Sequence, residues 1–280
     1  MLTQYLDELI DFVALETVTG NEQANRAAVN YLFARLQKLG FDVQVKGEAR
    51  TDQPLLVARY GDSGGAPLVL YNHYDVERVR PQEDWQSPPF QLTERDGRLW
   101  GRGVADNKAV LLARLSVIES RVARGEALPS MLWLIQGEEE VGAPLAHELF
   151  PDELAPFKNS LCIEETGYYR DGAPLIFQKG EAITTGNGES LVASLNSMLY
   201  DGKARVETRT LSKFGPCPLI ENLPGGSLYL GFGPNDYSAR IHRDNESISL
   251  ELLEQYFTLF DRFLTWCSKL TRALETPCAA

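Results

Sequence analysis

Two histidines with acidic neighbours are the residues of this chain best suited to chemistry. They are His73, in Asn72-His73-Tyr74-Asp75, and His242, in Ile241-His242-Arg243-Asp244-Asn245-Glu246. Acids recur at Asp106, in Glu138-Glu139-Glu140 and in Glu164-Glu165. Imidazoles and carboxylates together suit a hard-to-borderline divalent ion, with zinc the leading choice and cobalt or manganese possible. Two ions would need a carboxylate between them, and Asp106, at the head of a helix, is well placed for that. Ions about 3.5–4 Å apart clamp a carbonyl and activate a bridging water. Each residue also has an ordinary reading: a satisfied strand-end histidine, a helix N-terminal acid, a solvated turn. His147 sits inside the helical pattern Leu145–Phe150 and is set aside. The joint placement of the others at strand ends and a helix start is what singles them out.

The elements that must position them follow from periodicity. Leu68-Val69-Leu70-Tyr71 reads as a buried strand ending at His73, and residues i and i+2 of an extended chain share one face, so His73 and Asp75 aim at a single point. Ser130–Ile135 is a buried strand running into Gly137-Glu138-Glu139-Glu140, and Ser160–Ile163 is another, running into Glu164-Glu165. Asp106-Asn107-Lys108 opens a helix to about Arg124 with an acid in its first turn. Further helices are expected at 2–15, from Asn21 as N-cap to Leu39-Gly40, at 191–199 and at 249–270. Strands are expected at 41–45, 55–58 and 227–231, with a hairpin turning at Asp96-Gly97. Strands alternating with helices indicate an α/β fold with a mostly parallel sheet covered on both faces. In such sheets, sites form beyond the carboxyl ends of the strands.

A length of 280 residues allows one or two domains. A formal charge of −12 and the lack of Lys/Arg clusters argue against nucleic acid and anionic membranes. No apolar run approaches the roughly 18 residues of a membrane span, and the acidic N-terminus does not read as a secretion signal. Cys162, Cys217, Cys267 and Cys278 show no CxxC or framework spacing, which points to free thiols and a cytoplasmic location.

The segments NHYDV, WGRGVADNKA, GEEEVG, IEETG and ARIHRDNES, in that order and spacing, resemble the dinuclear zinc exopeptidases and deacylases. That family includes carnosinase, carboxypeptidase G, aminoacylase, acetylornithine deacetylase and succinyl-diaminopimelate desuccinylase. The resemblance runs from the N-terminus to Gly180 and resumes around Ser227. It implies a three-layer sandwich with a zinc-exopeptidase (phosphorylase/hydrolase-like) fold. Two Zn²⁺ are implied: His73 matches a ligand of one ion, Asp106 the bridging carboxylate, and Glu140 and His242 ligands of the other. Glu165 matches the remaining ligand of the first ion, with Glu164 as the fallback. Glu139 matches the general base and Asp75 the acid that orients His73. A cis peptide between Asp106 and Asn107 is implied as well. The implied reaction is hydrolysis of an amide in a small peptide or an N-acyl amino acid, by an activated water and without a covalent intermediate.

The departure from the family pattern lies between Gly180 and the returning strand. Family members usually insert a dimerisation and lid domain there, which supplies a histidine and an arginine to the substrate. Only about 45 residues, with no histidine, occupy this position in the chain. The expectation is therefore a single catalytic domain over 1–280, with the lid missing or reduced to a helix and a turn in about 181–224. The usual dimer interface would go with it. Arg205, Arg209, Lys213 or Arg240 would then replace the carboxylate clamp. Two alternatives follow: a zinc aminopeptidase of the single-domain type, and a metal-binding protein with little or no catalysis.

Overall fold

The structure, a computed structural model, describes residues 2–61, 68–164, 167–180, 183–184, 189–210 and 217–275, with side chains of the last helix described as far as 268. Glu165, Lys213 and Cys278 lie outside the described residues. The chain opens with α1 (Leu2–Ala14), which buries Tyr5, Leu9, Phe12 and Val13 along one stripe. In α2 (Glu22–Lys38), the Asn21 side chain accepts from the Ala24 amide at 3.3 Å and so caps the first turn. Then come β1 (Asp42–Lys46), β2 (Leu55–Tyr60) and β3 (Leu68–His73), followed by the hairpin β4 (Thr93–Arg95) and β5 (Arg98–Trp100). The helix α3 (Ala109–Ala123) leads to β6 (Met131–Gln136), α4 (Pro144–Leu154) and β7 (Leu161–Ile163). The remainder is β8 (Tyr169–Arg170), β9 (Ala173–Gly180), α5 (Leu191–Tyr200), β10 (Arg205–Thr208), α6 (Pro218–Glu221), β11 (Leu228–Gly231), β12 (Ser247–Ser249) and α7 (Leu250–Glu275).

Among the described residues the main sheet runs β1-β2-β6-β3-β7-β11-β9-β10, with β8 on β9. Its centre, β6-β3-β7-β11, is parallel, while β1, β2 and β9 pair antiparallel at the flanks. Alternation divides β3 between two layers. Leu68 and Leu70 pack with α1, α2, α3, α5 and α7 on one side. Val69 and Tyr71 pack with α4 and α6 on the other. The three-layer α/β sandwich expected from the sequence is the one observed. Its parallel centre sets the carboxyl ends of β3, β6 and β7 side by side, so the acids and the imidazole that follow them share one edge.

Two stretches differ from the sequence reading. The helix opening at Asp106 in fact begins at Ala109, after a tight turn over Val104–Lys108 in which Asp106 is extended (φ −130, ψ 85). Asp106 is therefore not a first-turn acid of α3: its backbone is held outside helical values by contacts from the far end of the chain, described below. In the span expected to hold a reduced lid, α5 and the turn at Asp201-Gly202 are present. They are joined by an unanticipated strand: β10 pairs in parallel with β9, so β9-α5-β10 is a βαβ unit widening the main sheet. Cys162, Cys217 and Cys267 are buried and form no disulfide among the described residues. No helix among the described residues is long and apolar enough to cross a membrane.

Arg114, on α3 and fully buried, ties the central strands to the helices over them. Its guanidinium donates to the Tyr71 carbonyl at 2.9 Å, to Asn72 Oδ1 at 2.8 Å, to the Tyr256 hydroxyl at 2.9 Å and to the Glu164 carbonyl. A guanidinium buried this deeply is tolerated because its N–H groups are matched. Replacing Arg114 by Met leaves two carbonyls, an amide oxygen and a hydroxyl without that donor. Urea unfolding is expected to show a loss of about 3 kcal/mol or more, and an unchanged midpoint would refute this role.

Candidate metal centre

The site is built from four chain segments. β3 delivers His73 at its last residue, fully buried. Its Nδ1 faces Asp75, 3.2 Å from the carbonyl oxygen and 3.3 Å from Oδ1. That leaves Nε2 pointing at Asp106, 3.0 Å from Oδ1. Asp75 does not join the cluster of ligand-type atoms. Its other oxygen accepts from the Glu140 amide at 2.9 Å, so one carboxylate sets both the imidazole from β3 and the turn after β6. That turn, a single helical turn over Glu139–Val141, presents Glu139 and Glu140 together.

Asp106 enters from the turn before α3, and the peptide between Asp106 and Asn107 is cis, as the resemblance implies. Glu246 holds this turn. Its buried carboxylate accepts from the amides of Gly103 (3.0 Å), Ala105 (2.9 Å) and Asp106 (3.2 Å), and from Arg102 Nη1 (3.0 Å). Gly103 is required here: its φ is +75°, and a Cβ would run into Val76. From the other side, Asn235 Nδ2 donates to the Ala105 carbonyl at 3.0 Å. The buried ammonium of Lys108, brought down to about 7 by burial, donates to the Phe12 and Leu15 carbonyls and pins the turn to α1. Sequence reasoning gave Glu246, Arg102 and Asn235 no role. The signal was present in the Asn245-Glu246 following His242, but an acid that binds backbone amides leaves no spacing pattern.

His242 arrives on the loop between β11 and β12, with φ +61°. Its Nε2 lies 2.8 Å from Glu140 Oε2 and 3.4 Å from Asp106 Oδ2. The loop is fastened by Asn245, whose side chain bonds the backbone of Asp84 and Gln86. Beyond it, β12 adds to β5 and β4 as a small three-stranded sheet.

Electrostatics reflect this crowding. Burial works against the charged form of Asp106, but hydrogen bonds from His242 and His73 overcome it and hold the carboxyl well below the usual carboxylate range. Hydrogen bonds to Asp106 and Glu140 push His242 up to about 11. His73 is raised too: burial opposes its charge, but hydrogen bonds to Asp106 and Asp75 prevail. Burial lifts Glu140 to about 7 and pushes Glu139 up as well. Glu139 has no hydrogen bond or ion pair to either imidazole, unlike Asp106 and Glu140.

Two overlapping groups of ligand-type atoms result, His73-Glu139-Glu140 and Asp106-Glu140-His242, each with its atoms within 4.8 Å of one another. Imidazole nitrogens and carboxylate oxygens so gathered fit a divalent ion such as zinc. Of the residues singled out from sequence, His73, Asp106, Glu139, Glu140 and His242 are brought together. Glu164, the fallback for Glu165, is in neither group: it is buried with Arg209, 3.3 Å from Oε1 to Nε. Of the proposed clamp residues, Arg209 is thus engaged, Arg205 pairs with Asp171 at 3.6 Å, and Arg240 pairs with Asp244.

Zinc added to chelated protein is expected to raise the thermal midpoint, by about 2.7 kcal/mol of stability at a hundredfold excess over Kd. Asp106→Asn should abolish the increase. Glu246→Gln should weaken zinc binding about 10- to 100-fold by loosening the turn that carries Asp106. Wild-type zinc affinity in Glu246→Gln would refute that role.

The model of peptidase family M20/M25/M40 matches residues 69–266. The chain is 32% identical to a beta-Ala-His dipeptidase of Rattus norvegicus over 117 residues, 41% of this chain and 24% of that protein. It is 36% identical to a succinyl-diaminopimelate desuccinylase of Bordetella avium over 141 residues, 50% of this chain and 36% of that protein. These alignments thus span well under half of either relative. Among solved structures, the di-peptidase Dug1p of Saccharomyces cerevisiae superposes with a TM-score of 0.75 at 11% identity, covering 95% of this chain and 96% of that one. At that identity the likeness concerns the fold.

Proposed function

The chain belongs to the peptidase family M20/M25/M40, and from that premise we propose that it is a metal-dependent hydrolase cleaving an amide bond in a small peptide or an N-acyl amino acid. Two zinc ions, with cobalt or manganese as substitutes, are the cofactors of this reading. His73, Asp106, Glu140, Glu165 and His242 would hold them, with Asp106 as the shared carboxylate. Bound there, such ions would acidify a water and polarise a carbonyl.

The observation that carries the reading is Glu139. It stands among the ligand-type atoms, yet bonds neither histidine, and burial pushes its carboxyl up, which suits a group that takes and returns a proton. Its side chain takes the proton of the attacking water and later delivers it to the leaving amine, so one carboxylate serves both halves of the reaction. Asp75 holds the tautomer of His73, and Glu246 holds the turn under Asp106. Neither touches the substrate.

A second reading, a zinc aminopeptidase of the single-domain type, draws on β10. The described part of the span where a lid would be inserted includes β10, which continues the main sheet, and this supports the reading. The enzyme would then need no inserted domain or dimer partner.

Glu139→Ala separates hydrolysis from metal binding. Metal content measured per chain should stay at the wild-type value, while turnover on a panel of dipeptides and N-acyl amino acids falls by about 10²–10⁴. Wild-type protein that binds metal yet turns over nothing would favour the metal-binding alternative. Full activity in the variant would remove Glu139 from the reaction.

A further inference from the structure

Asn72 breaks the pattern of its strand. Leu68 and Leu70 of β3 face the layer that holds α3, and a period of two puts Asn72 on that same face, fully buried. An amide is costly there unless its polar atoms find partners, and the partners it finds fix its orientation. Arg114 Nη1 lies 2.8 Å and Trp133 Nε1 3.0 Å from Asn72 Oδ1. A guanidinium and an indole N–H can only donate, so the Asn72 oxygen must face both and its NH₂ must face away. On that other side, Asn72 Nδ2 donates to Oδ1 of Asn107, which is also fully buried. The relay thus has one direction, from a buried cation on α3, through β3, to the residue that follows Asp106. Glu246 holds Asp106 from the amino side, through the amides of Gly103, Ala105 and Asp106 itself. Asn72 holds it from the carboxyl side.

We propose that Asn72 is a positioning residue for Asp106: it carries the restraint of the buried Arg114 guanidinium to Asn107, and so fixes how Asp106 presents its carboxylate. It touches neither metal nor substrate and acts through Asn107. Its consequence for zinc rests on the metal-binding part of the reading above, whereas its hold on the turn is observable in metal-free protein. Arg114 serves the other ligand-bearing segments directly, donating to the carbonyls of Tyr71, two residues before His73, and of Glu164, just after β7. One buried cation thereby registers three segments against one another, and Asn72 is the arm that reaches the turn. An Asn72 that only stabilised the fold would leave the zinc affinity of folded protein untouched.

The test pairs zinc affinity, by competition with a chromogenic chelator, with amide hydrogen exchange in chelated protein. Asn72→Asp keeps acceptors for Arg114 and Trp133 but removes the donor to Asn107, whereas Asn72→Ala removes all three contacts. Circular dichroism establishes that the variants are folded, and Asn72→Asp carries the test where Asn72→Ala does not fold. Each should bind zinc about 10- to 100-fold more weakly. Exchange of the Ala105, Asp106 and Lys108 amides should quicken by about tenfold. Trp133→Phe withdraws one donor from Asn72 but leaves the bond to Asn107, so the thermal midpoint should fall while zinc affinity stays within about twofold. Asn72→Ala added to Asn107→Ala should weaken zinc no further than Asn107→Ala alone, because the two residues act in series. Wild-type zinc affinity in a folded Asn72 variant, losses that multiply in the double variant, or an equal loss in Trp133→Phe overturns the proposal. Quickened exchange at the turn in Asn72→Asp, in a protein that binds no zinc even as wild type, would uphold the restraint on Asp106 and defeat the metal reading.

Discussion

Like charges held a few ångströms apart repel one another, and in a partly buried setting water cannot screen them. Asp106, Glu139 and Glu140 are gathered in this way with only two imidazoles for relief. Everything around the site can be understood as the means of holding this arrangement. The two histidines lie against carboxylate oxygens at 2.8–3.4 Å and stabilise the charge on Asp106. What remains is a cluster of carboxyl groups shifted in opposite directions, Asp106 down and Glu139 and Glu140 up.

Holding carboxylates in place is a separate problem from neutralising them, and here it falls to acids that bind backbone. Asp75 fixes the Glu140 amide and the ring of His73, while Glu246 gathers three amides and Arg102. Such charge-assisted bonds are short, directional and strong for their size. They restrain the main chain rather than a side chain, so the turns that carry Asp106, Glu139 and Glu140 are held through their backbone.

Much of this was legible in the chain because period-2 and period-3.6 patterns report directly on burial. The strands ending at His73, Gln136 and Ile163 were readable as apolar runs stopping at polar residues, and their shared edge follows from parallel topology. Three features were not readable. The extended backbone at Asp106 comes from Glu246, 140 residues away, and local propensity carries no trace of a contact at that distance. β10 has the burial of an exposed edge and only four residues, so it carries no hydrophobic alternation to notice. The small sheet β12-β5-β4 joins strands of three residues each, too short for a period to show. The choice between Glu164 and Glu165 turned on flanking residues alone. Glu164 is buried with one carboxylate oxygen 3.3 Å from Arg209 Nε, and Glu165 lies outside the described residues.

The loop carrying His242 and Glu246 lies late in the chain, yet it supplies the second imidazole and the acid beneath Asp106. The two halves of the centre are therefore strangers in sequence, introduced only when α7 and the short β12 strand have closed over α3 and β5. Closing so long a loop is an entropic cost that local structure cannot offset. An ion binding both halves would act as a removable staple across it, and occupancy of the centre would report on the integrity of the whole chain.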